Sequence, residues 1–131
     1  MKYLYDKKGY NPSAPVLPVT IRVPGNSKKH VTIDGLIDTG ADITCLPKTI
    51  IELLDAEPAG TCKVRGITEV TEKLPPSYET YFLEFEITGA KELVEVVALG
   101  NKLLLGRNFI NKFILQLHGP KEELSITLDI K

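Results

Sequence analysis

Apolar and polar residues alternate along most of this chain with a period of two, which is the signature of strands buried on one face. From Val16 to Val23 the residues Val16, Leu17, Val19, Ile21 and Val23 are apolar, Thr20 and Arg22 lie between them, and Pro24-Gly25-Asn26 supplies a turn. The return run from His30 to Ile37 leads directly into Asp38. This predicts an opening hairpin that supports whatever follows it. Ile43 to Leu46 reads as another short strand, and Pro47 stands where a first helical turn tolerates a residue without an N–H. Ile50, Ile51, Leu53 and Leu54 then give one or two amphipathic turns before Pro58-Ala59-Gly60.

Thr61 to Thr71 alternates around Gly66, which predicts a projecting hairpin with its tip at Gly66 to Glu69. Tyr78 to Thr88 places Tyr81, Leu83, Phe85 and Ile87 on one face of a strand, and Leu93 to Leu99 reads as its antiparallel neighbour. Leu103-Leu104-Leu105 leads into Gly106-Arg107-Asn108, and Phe109, Ile110, Phe113 and Ile114 follow at helical spacing. Ile114 to His118 and Leu124 to Ile130 close the chain as a hairpin around Gly119-Pro120. Strands accumulate with no βαβ rhythm, so an all-β domain is expected.

The length of 131 residues fits one domain with its own core. Residues 1–15, polar and broken by Gly9, Pro12 and Pro15, read as an N-terminal arm, and residues 16–131 as the domain. A formal net charge of −1 without a Lys/Arg tract leaves no electrostatic footprint for nucleic acid or an anionic membrane. The N-terminus lacks the apolar segment of a signal peptide and no stretch reaches membrane-span length, so a soluble, cytoplasmic or otherwise intracellular chain is expected. Cys45 and Cys62 lack Cys-x-x-Cys spacing and read as buried free thiols, while His30 and His118 sit beside turn signals as surface residues. No metal site is expected from these residues.

Chemistry concentrates in Gly35-Leu36-Ile37-Asp38-Thr39-Gly40-Ala41-Asp42, where an apolar stem delivers a carboxylate, a hydroxyl and a glycine in succession. Asp, Thr and Gly are also the residues of Asx and β-turns, so this tripeptide alone decides nothing. The second stem, Leu103 to Asn108, echoes the first by delivering a glycine and a charged residue.

Taken in order, these two stems, the hairpin about Gly66-Ile67-Thr68 and the terminal strands resemble the retropepsin-like aspartic proteases, the retroviral type and its cellular and prokaryotic relatives. The resemblance runs from about Val16 to the C-terminus. It implies a closed acid-protease barrel with a flap hairpin, one or two short helices and a homodimeric assembly.

The chemistry agrees with that assembly. Hydrolysis of an amide by paired carboxylates needs one acting as base and one as acid, held close enough to share a proton. This chain has one Asp-Thr-Gly and is too short for a two-lobed version, so the second Asp38 would come from a symmetric partner. The resemblance implies an endopeptidase acting on extended peptide or protein segments, with Asp38 activating a water and no metal or organic cofactor.

Thr39 would brace the dyad across the two-fold axis, and the Gly40 carbonyl would bind substrate backbone. Ala41, Asp42 and Arg107 would support the loop, with Arg107 holding the Asp42 carboxylate bidentately. Gly66, Ile67 and Thr68 in the flap, with Leu36 and Leu104 as pocket walls and Lys102 near a pocket mouth, would contact substrate. Apolar residues at these spacings also read as plain core. Glu69 stands where a further flap glycine is common in retroviral relatives, and the terminal hairpin is long enough for Leu124 to Ile130 to enter the dimer interface. The alternative is a dimeric module of the same fold that grips peptides without cleaving them.

Overall fold

The computed structural model describes residues 1–63 and 77–128. Ten strands and two short helices are present among them. After a short first strand, β1 (Lys2–Leu4), the opening hairpin pairs β2 (Val16–Arg22) antiparallel with β3 (His30–Ile37), joining Val16 to Leu36 and Arg22 to His30. Its turn needs a left-handed residue, and Gly25 supplies it at φ +81°.

After β3 come β4 (Thr44–Leu46) and α1 (Lys48–Leu53), which begins directly after Pro47 as expected. β5 (Gly60–Lys63) follows, and the hairpin tip expected at Gly66, Ile67, Thr68 and Glu69 lies outside the described residues. The long strand β6 (Ser77–Ile87) pairs antiparallel with both β5 and β7 (Ala90–Ala98). Tyr81, Leu83, Phe85 and Ile87 are all buried, as their alternation predicts.

β8 (Leu103–Leu105) is followed by α2, which spans only Arg107–Ile110. Here the helical spacing misleads. Phe113 and Ile114 belong to β9 (Phe113–His118), and Phe113 reaches the Phe109 ring from a strand, with centroids 5.0 Å apart. A 3-10 turn at Gly119–Lys121 leads to β10 (Glu123–Leu128), which pairs with β9 from Glu123↔His118 to Leu128↔Phe113.

Two sheets result. Strands β2-β3-β8-β4-β7-β6 form a run that closes through a β2–β6 pairing into a six-stranded barrel, with β5 added beyond β6. Closure removes the exposed edges that an open sheet would carry. The second sheet is β1-β10-β9, where β1 (Lys2–Leu4) brings the N-terminal segment against the end of the chain. Tyr3 and Tyr5 pack on the core from that segment.

Although the alternation shows no βαβ rhythm, two pairs in the barrel are parallel: β3 with β8, and β4 with β7. The core gathers Leu17, Val19, Ile21, Ile37, Leu103 and Leu105 from the barrel strands and Phe109 from α2. Leu124 and Ile126 join the same core, while Leu128 at the end of the same strand is exposed. Among the described residues, no helix is long and apolar enough to cross a membrane.

Candidate active site

The two stems recognised in the sequence lie side by side. Gly35, Leu36 and Ile37 are in parallel register with Leu103, Leu104 and Leu105, and the pairing continues as the Asp38 N–H donates to the Leu105 carbonyl at 3.0 Å. A glycine is needed at 35 because a Cβ there would stand 2.8 Å from Leu105 Cδ1 and 2.9 Å from Leu103 Cδ2. The close packing holds the stem that carries Asp38 directly on the core.

Beyond the stem the backbone folds into an Asx-type turn. Asp38 Oδ1 accepts the Gly40 N–H at 3.0 Å, and the Asp38 carbonyl accepts the Ala41 N–H at 3.2 Å. Asp38 is half-buried, whereas Thr39, Gly40 and Asp42 are exposed. The residues that form this turn are thus the same ones that display the carboxylate. One Asp38 oxygen is fixed by its own loop, which orients the group.

The second stem closes the loop from the other side. The Arg107 N–H donates to the Ala41 carbonyl at 2.8 Å, and the Arg107 guanidinium donates through Nη1 to the Thr39 carbonyl at 2.7 Å. This corrects the expected bidentate pairing. Among the described residues Arg107 has no ion pair with Asp42, because its side chain turns back over Thr39 while Asp42 points to solvent. Arg107 still supports the loop, through a backbone carbonyl rather than through a carboxylate.

A buried polar knot ties the stems together, and sequence reasoning missed its centre. Thr44 is fully buried; its hydroxyl accepts the Gly106 N–H at 3.1 Å and donates to Asn108 Oδ1 at 2.7 Å. Asn108 Oδ1 also accepts the Thr44 N–H at 3.0 Å, and its Nδ2 donates to the Glu95 carbonyl at 2.7 Å. Gly106 makes the approach possible, since a Cβ there would lie 2.6 Å from the Ile43 carbonyl carbon. The only available signal was the polar Thr44 inside an apolar strand.

Leu36 and Leu104 are half-buried and in register. Cys45 is buried opposite Leu104, and burial, followed by the carboxylates of Asp38 and Asp42, pushes its thiol pKa up. Cys62 is only half-buried, unlike the expectation, and its thiol is raised for the same first reason. Both are free thiols. Gly66, Ile67 and Thr68 lie outside the described residues.

The family model described as the spumavirus aspartic protease (A9) matches residues 28–130, most of the chain and both stems. The chain belongs to this family. It is therefore a retropepsin-like aspartic protease family member, and the closed barrel agrees with solved structures of such proteases. The simian foamy virus (mac) protease is 25% identical with a TM-score of 0.50, over 72% of this chain and 91% of that one. A retropepsin-like aspartic protease from Rickettsia conorii is 14% identical with a TM-score of 0.64, over 96% of this chain and 88% of that one.

The EIAV protease, solved with the inhibitor HBY-793, is 18% identical with a TM-score of 0.54, over 83% of this chain and 92% of that one. These latter two likenesses concern the fold. The chain also matches a foamy viral protease-reverse transcriptase, spanning only 15% of its length. No curated protein matches the chain.

Proposed function

We propose that this spumavirus-type aspartic protease is an endopeptidase whose active site is completed by a second copy of the same chain. The observation that carries the reading is the placement of Asp38. It sits in an Asx turn at the end of a core-packed stem, and the Arg107 stem clamps the same loop from beside it. Each chain contributes one such carboxylate, so a two-fold dimer supplies the pair.

In that assembly one Asp38 is ionised and takes a proton from a water held between the two carboxyls. The protonated Asp38 of the other copy donates to the scissile carbonyl oxygen. Water attacks the carbonyl carbon, and the proton then passes to the leaving nitrogen as the C–N bond breaks. No covalent enzyme intermediate forms, and the step uses no metal or organic cofactor.

Thr39 braces the pair across the axis, and the Gly40 carbonyl receives substrate backbone. Leu36 and Leu104 contact substrate side chains, and Gly66, Ile67 and Thr68 close over them from the flap. An extended segment of peptide or protein is the substrate shape that such a cleft takes. Digestion of a diverse peptide library by wild type and by Asp38→Asn tests the reading. Cleavage by the wild type alone is expected, and equal cleavage by both would remove Asp38 from the chemistry.

A further inference from the structure

We propose that Lys102, held in place by Tyr10, selects substrates that carry an acidic side chain, an inference that rests on the peptidase reading above. Lys102 immediately precedes β8 and lies on the exposed side of that stem. Exposure alternates over the stem, with Lys102 exposed, Leu103 buried, Leu104 half-buried and Leu105 buried, so Lys102 and Leu104 share a side. Leu104 is the register partner of Leu36, which precedes Asp38 by two residues and shares its face. Lys102, Leu104, Leu36 and Asp38 therefore line one wall, while Ile37, Leu103 and Leu105 face the core.

The lysine is positioned rather than free. Its Nζ lies 4.8 Å from the centroid of the Tyr10 ring, where the negative face of the ring attracts the ammonium without neutralising it. Tyr10 is itself on a closed loop. Asp6 and Ala14 exchange backbone hydrogen bonds of 2.8 and 3.1 Å, and Asp6 Oδ1 accepts the N–H groups of Lys8 at 2.9 Å and Gly9 at 3.1 Å. The Pro15 carbonyl accepts the Ile37 N–H at 3.1 Å, which ties the end of this loop to the residue before Asp38.

Among the described residues Lys102 has no carboxylate within 4.0 Å, including Asp34, the exposed acid on the neighbouring strand β3. The result is a fixed, unneutralised cation on the substrate-facing wall. A carboxylate on an extended peptide is its complement. A polyanion such as nucleic acid is a poor fit, because one lysine on a chain of formal net charge −1 offers no continuous basic track.

The test uses peptide sets in which each position near the cleaved bond is Glu, Gln or Lys. At low salt the wild type should cleave the Glu peptide about fivefold faster in kcat/KM than the Gln peptide at one position, with the ratio shrinking as salt rises. Lys102→Glu should invert the choice towards Lys, Lys102→Arg should keep it, and Tyr10→Leu should weaken it.

Binding of the same peptides to Asp38→Asn is measured in parallel. Cleavage with the same Glu/Gln/Lys ratios in wild type and Lys102→Glu at every position overturns the Lys102 inference and leaves the peptidase reading standing. Absence of cleavage, with charge-selective binding that Lys102→Glu inverts, overturns only the peptidase reading. Absence of both cleavage and charge-selective binding overturns both.

Discussion

Thr44 and Asn108, 64 positions apart, are joined by a 2.7 Å hydrogen bond between the threonine hydroxyl and the asparagine carbonyl oxygen. The same hydroxyl receives the Gly106 N–H, so one buried side chain connects β4 to the turn that carries Arg107. Thr44→Val keeps the shape but leaves the Gly106 N–H and part of Asn108 without a partner. Stability should fall by about 1–3 kcal/mol, read as a lower urea midpoint at unchanged slope. An unchanged midpoint would mean that the knot contributes nothing.

Gly106→Ala should be worse than an ordinary surface change. The added methyl meets backbone atoms of Ile43 at 2.6 and 2.7 Å, and neither a carbonyl carbon nor its oxygen can rotate away as a side chain would. A loss of about 3 kcal/mol or more, the range of overpacked sites, should appear as poor recovery of folded protein or a large drop in thermal midpoint.

The role of Arg107 is separable from that of Asp42. Arg107→Lys loses the guanidinium contact to the Thr39 carbonyl, an exposed bond whose removal should cost about 1 kcal/mol and lower the thermal midpoint by a few degrees. Asp42→Asn should change stability by less than about 0.5 kcal/mol, since the carboxylate is exposed and unpaired with Arg107. Equal losses in both variants, with no further loss in the double variant, would restore the ion pair between them.

Tyr81 sets an alkaline limit. Burial, and then its hydrogen bond to Glu79 at 2.8 Å, push the phenol from its ordinary 10.0 up to about 12. The folded state thus favours the protonated phenol. Its contribution is fully present below pH 10 and is lost as pH rises through about 12. Denaturation at a series of pH values should show a decline over that window that is shallower in Tyr81→Phe.

Much of this architecture is legible in the sequence because it follows from local pattern. The β2–β3 hairpin, the buried face of β6 and the stem before Asp38 are written as alternation and turn residues. What escapes is decided by distant partners. Phe113 has helical spacing from Phe109, yet pairing with Leu128 makes it a strand residue. Arg107 is identifiable as a loop support, but its choice of the Thr39 carbonyl depends on where the backbone of another segment ends. Thr44 looks like one polar residue in a short strand, and only the folded chain brings Gly106 and Asn108 to it.

The central claim is that two copies of Asp38 make one active site, and subunit mixing tests it most directly. Wild type and Asp38→Asn are unfolded, combined in varied ratios at constant total concentration and refolded together, and cleavage of one peptide is followed. If both carboxylates are required, activity follows the square of the wild-type fraction, so an equal mixture retains about a quarter. A linear decline, with about half retained, would contradict the account by showing that each chain works with its own Asp38 alone.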